Sequence, residues 1–162
     1  MKKRWYIYIV IGILFGIFDF YYQEFTKDIH ISSFVIWFVV AWVVWLIPSI
    51  PIVLYETKVS QSKKKSVLAN ILVWSISVCS YYLYMAIKLI FIGQESMKFL
   101  HISNYKDQFY LSNLKNLFLG DVLSGITEWI VIAIVGGTVC GFLISFIYLH
   151  IRRINEISSI SN

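Results

Sequence analysis

Phe34–Tyr55 reads FVIWFVVAWVVWLIPSIPIVLY, 22 consecutive residues without a charged side chain. At a rise of about 1.5 Å per residue, a helix of that length covers roughly 33 Å, enough to cross a hydrocarbon core of about 30 Å. A soluble core helix would show a polar face at its own period, and this run shows none. The stretch reads as a membrane span. Pro48 and Pro51 fall in its final third, where each removes a backbone donor, so a kink is expected there.

The same pattern recurs three times. Trp5–Tyr22 forms a first span behind the basic Met1–Arg4; it ends in bulky aromatic residues with no small-residue cleavage site, unlike a secretory signal. A third span covers about Val67–Gly93 and a fourth about Ile126–His150. The expected fold is all-α: a polytopic four-helix membrane bundle forming a single membrane domain over residues 1–162.

Composition agrees, with 59% hydrophobic and 14% charged residues against about 25% charged in a soluble domain. Net charge is +5, yet the basic residues cluster beside the spans, so membrane orientation accounts for them and nucleic acid is not an expected partner. Lysine outnumbers arginine 11 to 3, a bias that points to an AT-rich bacterial genome. Cys79 and Cys140 both fall within spans, where they read as small packing residues rather than a disulfide.

Nine basic residues (Lys2, Lys3, Arg4, Lys58, Lys63, Lys64, Lys65, Arg152 and Arg153) flank the spans on one side, while Lys27, Lys88, Lys98, Lys106 and Lys115 belong to the other. The positive-inside rule then places both termini in the cytoplasm of a multi-pass cell-membrane protein. The Lys63–Lys65 run reads as a topology determinant, with attraction to anionic lipid as a compatible role. Between the third and fourth spans, residues 94–125 alternate Phe109, Tyr110, Leu111, Leu114, Leu117, Phe118 and Leu119 with Asn113, Lys115 and Asn116. That amphipathic spacing predicts an interfacial helix at the outer surface, or one capping the outer mouth of the bundle. Gly120 and Gly125 would let the chain turn into the last span.

Three ionisable residues share a predicted depth near the outer side: Asp19, Lys88 and Glu128. Charges within a bilayer are costly and seek partners, so pairing Lys88 with either carboxylate is expected. They read either as a polar pocket for an ion, proton or small cation, or as interfacial snorkelling with a structural ion pair. Along the third span Asn70, Trp74, Ser77, Tyr81, Tyr84 and Lys88 follow steps of four and three and so share one face. Such a stripe faces protein or a water-filled path; interhelical hydrogen bonding explains it without a substrate.

Gly12 and Gly16 in the first span, and Gly137 and Gly141 in the fourth, form the small-xxx-small spacing that lets helices approach closely. First span against fourth is one expected contact, and self-association through either is the other. His30, His101 and His150 have no companions at metal-ligand spacing, and no nucleophile elbow, zinc-protease helix or phosphate loop is present. No catalytic residue, metal or cofactor is assigned. The leading expectation is a non-enzymatic transport-associated or membrane-complex component, with the bilayer and other membrane subunits as partners. The rivals are a membrane-embedded enzyme acting on a lipid or isoprenoid carrier through Asp19 or Glu128, and a regulatory or immunity-type protein that binds a partner's spans.

Overall fold

The computed structural model describes residues 3–27, 33–91 and 108–160, and every regular element among them is a helix. Helix α1 runs Lys3–Lys27, outlasting the apolar stretch at both ends because its terminal polar residues find partners on neighbouring helices. The Phe34–Tyr55 stretch becomes two helices, α2 (Phe34–Val43) and α3 (Leu46–Ser60). Their break at Val44–Trp45 lies one turn before the prolines rather than at them. Pro48 has no N–H to offer the Val44 carbonyl four residues back; the Ile47 amide takes that carbonyl instead, at 3.1 Å. Helix α3 then continues past Tyr55, carrying Glu56 inside the bundle.

Gln61 and Ser62 alone separate α3 from α4 (Lys63–Phe91), a connection short enough to force antiparallel neighbours. Gln61 adopts a left-handed conformation (φ 49°) and closes α3 through its amide to the Thr57 carbonyl at 2.9 Å. Residues 92–93 of the expected third span, and 94–107 of the expected interfacial segment, lie outside the described residues. From Tyr110 the chain is helical without interruption: α5 (Tyr110–Asn116), a π-helical stretch (Leu117–Leu123) and α6 (Ser124–Ile160). Gly120 and Gly125 sit inside this run and make no turn. Leu117 and Val122 pack on Ala86 and Leu89 at the far end of α4, which anchors the π-helical stretch to the bundle.

Helix α4 is the centre of the bundle, with α1 on one side and α6 on the other. The α1 pairing runs parallel: Gly12 meets Val73 and Ile76, Gly16 meets Ser77 and Ser80, Phe20 meets Tyr84, and Glu24 meets Lys88. The α6 pairing runs antiparallel, from Gly141 on Val67 through Gly137 on Ile71 to Gly125 on Tyr82. Helix α3 opposes both α1 and α4, through Glu56 with Arg4 and Ser49 with Trp74. The helices therefore alternate in direction in chain order.

Both glycine pairs close on α4, so the expected contact between the first and last spans does not form. A Cβ on Gly16 would collide with the Ser77 carbonyl oxygen, and one on Gly141 would stand 3.0 Å from Val67 Cα. Each seam also carries a hydrogen bond from α4 to a backbone carbonyl. Ser80 Oγ donates to Ile13 O at 2.9 Å on α1, and Asn70 Nδ2 donates to Gly137 O at 2.9 Å on α6. Close backbone approach is what brings those carbonyls within reach.

Among the described residues four helical stretches are long and apolar enough to cross a membrane: Lys3–Thr26, Val39–Ser60, Lys63–Phe91 and Tyr110–Glu156. Their outer surfaces are covered with large apolar side chains, among them Leu14, Ile36, Leu68 and Val135.

Candidate functional site

The polar stripe of α4 is divided among its neighbours. Asn70 binds α6 as described; Trp74 Nε1 donates to Ser49 Oγ on α3 at 2.7 Å. Ser77 Oγ turns back to the Val73 carbonyl of its own helix at 2.7 Å. Tyr84 hydroxyl meets that of Tyr21 on α1, and Tyr81 packs against Phe20 with ring centroids 5.5 Å apart. Most of the stripe serves helix–helix contact, and Tyr81 also reaches a cavity.

The three ionisable residues do not converge. Lys88 Nζ lies 2.7 Å from Glu24 Oε2, because Gly12, Gly16, Phe20 and Glu24 form one row along α1 that faces α4. Glu128 is exposed on α6 and accepts a hydrogen bond from Ser124 Oγ one turn earlier, at 3.2 Å. Asp19 belongs to a different row of α1, with Phe15 and Tyr22, which faces the α2–α3 break. Phe15 packs edge-on against Trp45 at 5.5 Å, and Tyr22 donates its hydroxyl to the Val40 carbonyl at 2.8 Å.

At that break the bundle holds a cavity of about 180 Å³. Asp19 and Gln23 line it from α1, Ala41 and Trp42 from α2, and Trp45 from the break itself. Tyr81 and Tyr82 contribute from α4 and Trp129 from α6. Asp19 is 5% exposed, and its Oδ1 has no hydrogen-bond partner among the described residues. The Tyr82 ring packs close on α6, where a Cβ on Gly125 would overlap it. Trp42 and Trp129 meet at the rim with centroids 6.3 Å apart, and Trp129 remains 41% exposed.

A second buried carboxylate among the described residues is at the opposite end. Glu56 is fully buried, yet Arg4 Nη2 donates to its Oε1 at 2.8 Å and the Tyr8 hydroxyl donates to its Oε2 at 2.8 Å. Arg4 Nε adds an ion-pair contact of 2.8 Å to Oε2. Nearby, Thr57 Oγ1 and Ser66 Oγ share a hydrogen bond of 2.7 Å between α3 and α4. Glu56 lies one residue past the charge-free run, and Gln23, Trp42, Trp45 and Trp129 are site residues that the sequence pattern does not single out. One signal was there to use: tryptophans in mid-span, away from the interfacial belt where they are usually enriched.

Among the described residues no three His, Cys, Asp or Glu side chains gather as metal ligands. Comparison with protein families, curated proteins and solved structures finds no match to this chain. The cavity and its carboxylate therefore carry the functional reading by themselves.

Proposed function

We propose that this chain is a multi-pass cell-membrane protein that binds a small molecule inside its four-span bundle, as a transport-associated component or a subunit of a membrane complex. Both termini lie in the cytoplasm in this reading, supported by the nine basic residues flanking that side. The candidate span Tyr110–Glu156 has 47 residues, about 70 Å of helix against a hydrocarbon core of about 30 Å. Its Tyr110–Leu123 portion accordingly extends to the outer interface, where its apolar residues meet headgroups.

One observation carries the reading: a buried carboxylate with an unused oxygen beside a cavity. A buried carboxylate within a span that leaves one oxygen without a hydrogen bond marks a site for something that comes and goes. Binding asks less of this site than catalysis, which needs a second acid or base converging on the same reactant. The cavity lining supplies one carboxylate, facing amide, phenol and indole groups.

A thermal-stability screen of the detergent-purified protein against small cations, anions and neutral compounds tests this. A ligand at one hundred times its dissociation constant adds about 2.7 kcal/mol, which is about 5–10 °C for a chain of this size. At least one compound should shift the wild type and fail to shift Ala41→Trp, in which the new ring fills the cavity. If nothing in any charge class shifts the wild type, the ligand-binding reading is wrong.

A further inference from the structure

We infer that the cavity at the α2–α3 break takes a small organic monocation with an alkylammonium or quaternary ammonium head, Asp19 supplying the counter-charge and Trp42, Trp45, Tyr81, Tyr82 and Trp129 the ring faces. This rests on the ligand-binding reading above and specifies its chemistry.

Charge is the first consideration. Arg4 pairs with Glu56, Lys88 with Glu24 and Arg152 with Glu156, and among the described residues no cation pairs with Asp19. A buried carboxylate without a counter-charge is strongly disfavoured, and what neutralises this one comes from outside the chain. A proton would suffice for that, but a proton needs no cavity.

The walls decide what else enters. Five of the nine lining residues are Trp or Tyr, whose ring faces attract cations and repel anions. A metal cation such as sodium or calcium asks for a shell of several oxygen ligands, which this largely aromatic lining does not offer. Methyl-substituted ammonium, with its charge spread over apolar groups, suits ring faces and one carboxylate together. Size narrows the choice: about 180 Å³ is below the roughly 300–1,000 Å³ of sites for drug-sized ligands, so the occupant is a small head group. Trp129, exposed at the rim beside Trp42, gives it a way in.

Isothermal titration calorimetry on the purified full chain tests the assignment with two probes of one shape, choline and its uncharged isostere 3,3-dimethylbutan-1-ol. Choline should bind, and the isostere should bind at least about tenfold more weakly. Asp19→Asn should weaken choline by at least the same factor, Asp19→Glu should retain it, and Trp129→Leu should weaken it without altering the fold. Should Asp19→Asn fail to fold, the two probes on the wild type and the Trp129→Leu variant decide alone. Equal affinity for both probes, or Asp19→Asn binding choline as tightly as wild type, overturns the cation assignment and leaves the ligand-binding reading intact. Absence of choline binding also overturns it, and the wider screen then judges whether the cavity binds anything. Loss of both readings together requires silence in that screen as well.

Discussion

Among the described residues two carboxylates are buried, and they are kept in opposite ways. Glu56, at the end where α1 begins and α3 finishes, has a guanidinium and a phenol closed on its two oxygens. Asp19, toward the other end of α1, has an unused oxygen and a cavity beside it. Burial is nearly the same, 0% against 5% exposure, so burial alone does not explain the contrast. A buried charge with its partners in place is architecture; one with an oxygen left unpaired beside a cavity is what the proposed binding reading rests on.

The sharpest way to break this contrast is to strip Glu56 of its partner. Arg4→Ala leaves a fully buried carboxylate facing Tyr8 alone, and should cost about 3–5 kcal/mol of stability in detergent unfolding. Replacing the pair together, Arg4→Met with Glu56→Leu, should recover most of that loss, since two apolar side chains leave no stranded charge. A single replacement no worse than the double one would show that Glu56 is not held as an ion pair.

Next in size is the seam that positions both carboxylates. Gly16→Val drives a branched side chain into the Ser77 carbonyl and should cost about 1–3 kcal/mol as α1 is forced off α4. Gly120→Ala is the control, because nothing lies within 4 Å of the added methyl group. It should be neutral or slightly stabilising, as alanine in a helix is favoured over glycine by about 1 kcal/mol.

Smallest in stability is the change with the largest expected effect on binding. Asp19→Asn removes a buried charge that no cation among the described residues pairs with, so the apoprotein should be as stable as wild type or slightly more so. A loss comparable to that of Arg4→Ala would place Asp19 among the architectural carboxylates and collapse the contrast.

What could be read from the residues follows the physics that each feature depends on. The spans were legible because length and uninterrupted apolarity are local properties, and so was the glycine spacing of Gly12, Gly16, Gly137 and Gly141. Which helix those glycines grip was not, because small residues specify close approach without specifying a partner. Asp19 stood out as a charge in apolar surroundings. Its separation from Lys88 depended on the register of two parallel helices, which places Glu24 and not Asp19 on the α4-facing row. Glu56 follows a long apolar run and so resembles a span boundary, yet Arg4 supplies its counter-charge across the bundle. The break at Val44 was displaced from Pro48 by the reach of one helical hydrogen bond, a consequence a proline carries to residues upstream of itself.

Helix α4 is gripped from both sides, with α1 seated against its Ser77–Ser80 flank and α6 against Val67–Ile71. Whatever turns or slides this helix unseats two partners at once, and Tyr81 and Tyr82, which it carries into the cavity wall, move with it.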